Sequence, residues 1–250
     1  MPIHYGKHGH IAEILFDHPP VNAFNSEGWA SIPGLIQQAS ADEDVRCVLI
    51  RAEGRGFCGG VDIKEMQAHP ERITMLNKGN YLTFKAIRDC AVPVVAALHG
   101  FVIGGGVGIA GASDAVLAAE GAYLSLPEID RGAMGGAAFL QRMLPAQKVR
   151  ASFFSGGRVP VEDLWRFGSV EKIVPLERLR DEAVAFCEII ASKSRAALVI
   201  AKQALNLIEP NNPSELYRIE QGFTLEMYMH EDSQKSRDAF VQNKGQAAKF

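Results

Sequence analysis

The chain has few cysteines, almost no excess charge and no long apolar run, and each shortage closes off a class of function. Its four cysteines, Cys47, Cys58, Cys90 and Cys187, stand far apart and form no Cys-x-x-Cys pair. That argues against a disulfide framework or thiolate metal site and for the reduced thiols of a cytoplasmic protein. Lysine and arginine number 26 against 29 aspartates and glutamates, for a net charge of -3, so general binding to nucleic acid is disfavoured. The seven histidines do not cluster at metal-ligand spacing, and His8 and His10 flank a glycine in what reads as an exposed turn. No stretch approaches the roughly 18–20 apolar residues of a membrane helix. The opening MPIHYGKHGH lacks an apolar signal core. Lys235, Arg237, Lys244 and Lys249 gather late in the chain and read as a solvated tail or a local basic patch.

What is present is an ordinary globular composition, 47% hydrophobic and 22% charged over 250 residues. It fits one large domain, or one domain with a helical appendage. Ile11–Phe16, Val45–Arg51 and Val94–Leu98 are β-rich and read as strands, with shorter ones over Asp114–Ala118 and Tyr123–Leu126. Asn25 or Ser26 can cap a helix reaching Ala39, in which Pro33 predicts a kink or restart. A second helix fits Ile73–Cys90, and the small-residue run Val107–Ser113 fits a third. From about Ala137 the periodicity turns helical, over Leu176–Ser192, Ala196–Ile208, Ser214–Met229 and Lys235–Asn243. Strands alternating with helices predict an α/β core followed by a helical region. No internal sequence repeat is visible.

Three loops carry candidate chemistry. Gly54–Gly60, ending at Val61-Asp62, has four glycines that allow a sharp turn and close ligand approach. If Val61 starts a helical turn, its N–H is free. Gly104-Gly105-Gly106 precedes a helix, whose first N–H groups favour an anion such as a thioester enolate oxygen. Leu126–Gly136 holds Glu128 between apolar neighbours, where a raised pKa suits a general base; pairing with Arg131 is the plainer account. Gly106-Val107-Gly108-Ile109-Ala110-Gly111 also matches the dinucleotide fingerprint, but it does not directly follow the strand that ends at Leu98, so nicotinamide binding is disfavoured.

Together, colinear along nearly the whole chain, these segments resemble the crotonase, or enoyl-CoA hydratase/isomerase, superfamily. The matching residues are His18-Pro19-Pro20-Val21-Asn22-Ala23, Phe57–Met66, Val92–Ala97, Gly104–Gly106 and Asp238-Ala239-Phe240-Val241. The resemblance implies a spiral ββα fold over residues 1–190 and a helical trimerisation region over 191–250, with trimers commonly paired into hexamers. It places an oxyanion hole on the N–H groups of Val61 and Gly105. It also implies that Val21, Asn22 and Ala23 lie beside coenzyme A. Main-chain groups of Gly59, Gly60, Val61, Asp62 and Ile63, with Lys64 nearby, would hold its adenine end. Gly104 adjoins the hole, and Phe240 and Lys244 would reach coenzyme A, in the same or a neighbouring subunit. Coenzyme A is then part of the substrate, and no resident cofactor or metal is expected.

One departure matters. Hydratases of this family carry a glutamate where this chain has Gly108 and a second one at Glu128. With one carboxylate, two chemistries remain: isomerisation of an enoyl-CoA, or hydrolytic retro-Claisen cleavage of a cyclic β-keto acyl-CoA. Gly108 is expected to leave space for a bulky acyl group, a water or a small anion. Arg51–Phe57, Leu126-Pro127-Glu128, Arg131-Gly132-Ala133, Phe167–Val170, Tyr217-Arg218 and Glu220–Thr224 resemble a branch of the family, the ring-opening CoA hydrolases of steroid catabolism. His99 and Asp130 depart from that branch. His99 reads as structural, and Asp130 as a partner of Arg131 or an assistant to Glu128. Hydrolytic ring cleavage is the leading expectation, with a fatty-acid isomerase or hydratase next and a non-catalytic acyl-CoA-binding scaffold as the reading of another class.

Overall fold

The computed structural model describes residues 3–242. β1 (Ile3–His8) and β2 (Ile11–Phe16) form an antiparallel hairpin, followed by β3 (Ala23–Phe24) and α1 (Ser26–Ala41). Next come β4 (Cys47–Ala52), β5 (Gly60–Val61), α2 (Ile63–Ala68) and α3 (Ile73–Asp89). Then follow β6 (Val94–Leu98), β7 (Phe101–Ile103) and α4 (Gly105–Ala112). β8 (Ala115–Ala119) and β9 (Tyr123–Ser125) lead to a 3₁₀ turn (Pro127–Arg131), α5 (Ala137–Leu140) and α6 (Ala146–Ser155). β10 (Arg158–Pro160), α7 (Val161–Arg166) and β11 (Lys172–Val174) precede α8 (Leu176–Ala191), α9 (Arg195–Ile208), α10 (Pro213–Tyr228) and α11 (Glu231–Gln242).

The main sheet runs β1-β2-β4-β6-β8-β11 and is parallel beyond the first hairpin. After β2, β4, β6 and β8 the chain leaves this sheet, adds a short strand in a second layer (β3, β5, β7 or β9) and enters a helical segment. The expected α/β spiral is therefore a ββα unit repeated in space without a repeat in sequence. Parallel strands bury both faces, which explains why β4 is apolar from Cys47 to Ile50. Cys47 and Leu49 face one side, where Leu179, Ala183, Cys187 and Ala191 form an i, i+4 stripe on α8. Val48 and Ile50 face the other, among Ile32, Ile36 and Ile87 from α1 and α3.

Most expected elements are present within a residue or two. Asn25 caps α1 by accepting from the Gly28 N–H, and α1 runs on through Pro33 without restarting. The region after Ala137 is not purely helical, because β10 pairs with β9 and β11 completes the main sheet beside β8. These three-residue strands are too short for a period-2 signal. The N-terminal turn at His8 and His10 belongs to the β1–β2 hairpin. All four cysteines are free and buried. Among the described residues no helix is long and apolar enough to cross a membrane, and no group of three or more His, Cys, Asp or Glu could hold a metal.

Candidate active site

Because β4, β6 and β8 are parallel, the segments after them emerge on one side of the sheet. There the loop ending at Val61, the start of α4 and the 3₁₀ turn meet around one pocket. Just past β5 the Asp62 N–H is bonded to Phe24 O at 3.0 Å. Successive strand N–H groups point to opposite sides, so that of Val61 turns away from β3. Gly60 takes φ +85°, and a Cβ there would sit 3.0 Å from Ile103 O and 3.6 Å from Gly105 N, so only glycine lets β5 approach the start of α4. Gly105 is the first residue of α4, and an N–H in that position has no intrahelical acceptor. The Gly104 carbonyl is used instead by Val107 N (2.9 Å) and Gly108 N (3.3 Å). Val61 and Gly105 thus come together on the pocket wall.

Glu128 enters from the 3₁₀ turn. Its Oε2 is buried without a hydrogen-bond partner among the described residues, and its Oε1 occupies the space that a Cβ on Gly104, already at φ +56°, would need. Burial pushes its pKa up to about 8, against the opposing pull of the Arg131 guanidinium. In a 3₁₀ helix each residue advances about 120°, so positions i and i+3 share a face while i+2 points elsewhere. Arg131 accordingly lines the pocket with Glu128. Asp130 does not: its Oδ2 stands 2.5 Å from where a Gly156 Cβ would be. It does not border the pocket, and it acts on Arg131 through charge, with no ion pair between the two among the described residues.

The space expected at Gly108 is filled. A Cβ there would be driven into the Phe84 ring, and Gly108 itself does not line the pocket. Phe84 packs edge-on against Phe139 (4.9 Å between centroids), Tyr217 (5.2 Å) and Trp29 (6.1 Å). The other glycines of the apparent dinucleotide fingerprint serve packing too: Gly106 faces Cys58 and Gly111 faces Phe139 O.

Sequence reasoning missed the helical side of the pocket. Met66, Ile73, Leu76, Asn77, Asn80 and Phe84 line it from α2 and α3, and Tyr217, Thr224, Tyr228 and Arg237 from α10 and α11. Arg237 is not part of a solvated tail, since it is only 2% exposed. The signal that could have found it is its placement three residues before Phe240, on one face of α11. Lys235, by contrast, is exposed and pairs with Glu231 and Asp232 at 3.3 Å each.

Of the other expected residues, Gly59, Gly60, Ile63 and Gly104 line the pocket. Val21, Asn22 and Ala23 stand behind it. Asn22 has φ +50° and is 3% exposed. Its side chain accepts from His18 N (2.7 Å) and donates to Glu53 O and Gly56 O (2.9 Å each), so its polar atoms are taken up by the fold. Gly59 N donates to Val21 O, and β3 pairs with β5 through Ala23 and Gly60. Asp62 caps α2 by accepting from Lys64 N, and Lys64 is exposed outside the pocket. The Phe240 ring lies under the Arg131 guanidinium at 4.4 Å rather than in the pocket. Lys244 lies outside the described residues. His99 is structural: buried, it bonds Gly54 O at 3.0 Å.

The sequence and the fold have counterparts among known proteins. The "(7aS)-7a-methyl-1,5-dioxo-2,3,5,6,7,7a-hexahydro-1H-indene-carboxyl-CoA hydrolase" of Mycobacterium tuberculosis is 43% identical over 234 residues, covering 92% of this chain and 94% of that one. The protein of the same name from Rhodococcus jostii is 42% identical, covering 93% and 91%. An enoyl-CoA hydratase/isomerase structure from Xanthobacter autotrophicus shares the fold, with a TM-score of 0.89 at 24% identity over 97% of this chain and 94% of that one. With the enoyl-CoA hydratase/isomerase pattern matched over residues 6–248, the chain belongs to that family of enzymes.

Proposed function

We propose that this enzyme hydrolyses a carbon–carbon bond in the ring of a cyclic β-keto acyl-CoA, in steroid catabolism. The observation that carries the reading is that Glu128, buried, is the one carboxyl lining the pocket among the described residues, set beside the two-amide wall. Phe84 fills the position from which a second carboxylate would act. Two relatives above 40% identity, whose printed names describe a hydrolase of a dioxo indene-carboxyl-CoA, support it.

In the proposed reaction the thioester oxygen lies between the N–H groups of Val61 and Gly105. Glu128, ionised, takes a proton from water as the water oxygen bonds to the ring ketone carbon. The bond from that carbon to the α-carbon breaks, and its electron pair moves into the thioester as an enolate held by the two amides. Glu128 returns the proton to the α-carbon. One water is consumed, and a carboxylic acid and a saturated α-carbon are formed. Coenzyme A arrives as part of the substrate, and this chemistry needs no resident cofactor. Main-chain groups of Gly59–Ile63, with the exposed Lys64 next in the chain, suit the adenine end, and Phe240 stacks on the pocket residue Arg131. Exposed apolar residues around Phe154 (62% exposed), Ile219 and Phe223 suit assembly into a homotrimer or a hexamer of two trimers. Four free thiols suit a cytoplasmic enzyme.

A single carboxylate also serves enoyl-CoA isomerisation, so the test offers both substrates. In ¹⁸O-labelled water, a bicyclic β-keto indane-carboxyl-CoA should yield a ring-opened acid carrying one solvent oxygen, while crotonyl-CoA stays largely unhydrated. Rapid hydration or isomerisation of enoyl-CoA thioesters with an intact bicycle would overturn the proposal.

A further inference from the structure

The pocket holds more hydrogen-bond donors than the thioester and Glu128 require. Arg237 is almost fully buried, yet no carboxylate lies within ion-pair distance of it among the described residues. Its amino groups contact only neutral side chains, Ser233 Oγ and Gln234 Oε1, and its guanidinium lies over the Tyr228 ring at 4.1 Å. Its Nε is buried with no acceptor among the described residues. Asn77 Nδ2, on the same pocket, is also buried without an acceptor among the described residues. Arg131 adds a second guanidinium, facing Phe240 and, by charge, Glu128 and Asp130. The remaining carboxylate nearby, Glu220, is engaged by Ala137 N (2.9 Å) and Ala138 N (3.1 Å).

A buried cation without an anion, and buried donors without acceptors, are costly unless a ligand completes them. Both donors sit on the helical wall, away from the two-amide wall that suits the thioester. Their neighbours on α2 and α3 are the apolar Met66, Ile73 and Leu76, which suit a hydrocarbon skeleton. We infer that Arg237, with Asn77, forms an acceptor-seeking subsite for the acyl group, so that the enzyme selects acyl-CoA thioesters bearing an oxygen remote from the thioester. In the substrate that oxygen is an oxo group other than the β-ketone that is cleaved, and once the ring is open the new carboxylate is free to reach the same donors. The inference rests on the ring-hydrolysis reading for the origin of the carboxylate. It stands on its own for the selection of an oxygenated acyl group.

The test measures affinity in Glu128→Gln enzyme, where turnover is suppressed. Mono-CoA thioesters of straight-chain diacids, from glutaryl to suberyl, are titrated beside the monoacid thioesters of equal length. The best-fitting diacid should bind at least about tenfold more tightly than its monoacid counterpart. Adding Arg237→Met should bring that ratio to about one, and Arg237→Lys, which keeps the charge but lacks Nε, should cut it at least about threefold. A ratio near one at every length in the parent, or an undiminished ratio in a folded Arg237 variant, would overturn the subsite. Ring opening by the unmodified enzyme is measured in parallel. A diacid preference without ring opening defeats the hydrolase reading alone, and ring opening without a diacid preference defeats the subsite alone.

Discussion

The two sides of this pocket are built from different material. The spiral side offers main-chain N–H groups at Val61 and Gly105, placed by strands and glycines. The helical side offers side chains, among them Phe84, Tyr217 and Arg237, placed by the packing of α3, α10 and α11. Main-chain donors survive most changes of side chain, so the first wall suits a step common to many acyl-CoA thioesters. Side chains change readily, so the second wall suits the choice among acyl groups.

The sharpest test of that division is Glu128→Gln. Turnover should fall by roughly 10²–10⁴-fold while acyl-CoA affinity moves little, because the spiral wall is untouched. Full activity in steady-state assays would remove Glu128 from the mechanism. Gly104→Ala comes next. Its Cβ would press on Glu128 Oε1 from a left-handed backbone position, and kcat should drop by about 10²–10³-fold. A variant with normal kcat would mean that this loop is more tolerant than its φ of +56° suggests.

On the helical side, Gly108→Ala forces a methyl into the Phe84 ring and should cost about 1–3 kcal/mol in denaturant unfolding. Combining it with Phe84→Leu should recover part of that loss. Additive losses in the double variant would place the clash elsewhere. A smaller effect is expected with pH. Burial raises the pKa of Glu128 to about 8, so a base is only about a tenth ionised at pH 7. The kcat/KM should therefore rise with pH and level off above about 8, and Arg131→Gln should move that limb higher by removing the neighbouring positive charge. A flat profile from pH 6 to 9 would rule this out. The linked stability effect has the opposite sense. The folded protein holds this proton more tightly than the unfolded chain, so stability relative to Glu128→Gln should fall between the ordinary carboxylate range and pH 8 and be constant above it. The smallest effect is reserved for Lys235→Ala, two residues from Arg237 on the same helix. It should leave Tm and acyl-group preference where they are, and a clear change in either would erase the contrast between the two faces of α11.

The spiral wall was legible because its signals are local. A glycine cluster after an apolar strand announces a close backbone approach, and a strand running into glycines and then a helix announces free N–H groups. Even the division between Glu128 and Asp130 follows from the periodicity of a 3₁₀ turn, once that turn is known. The helical wall was hidden. Arg237 sits among charged residues, and α11 has no apolar stripe of its own, so its buried face looked like solvent-facing helix. Gly108 looked like open space, because only packing brings Phe84, 24 residues earlier, onto it. Asn22 looked like part of a binding turn, whereas its amide ties that turn to the Gly54–Gly56 loop.

The sequence by itself determined the apolar strands β2, β4, β6 and β8, the Asn25 cap and the glycine loops that hold Val61 and Gly105, since these depend on hydrophobic period, side-chain caps and backbone freedom within a few residues. Tertiary structure alone decided that the ββα unit repeats without a sequence repeat, that Phe84 fills the place above Gly108 and that Arg237 is buried at the pocket. Those outcomes depend on which distant surfaces meet, and burial is a property of the pair that meets rather than of either residue.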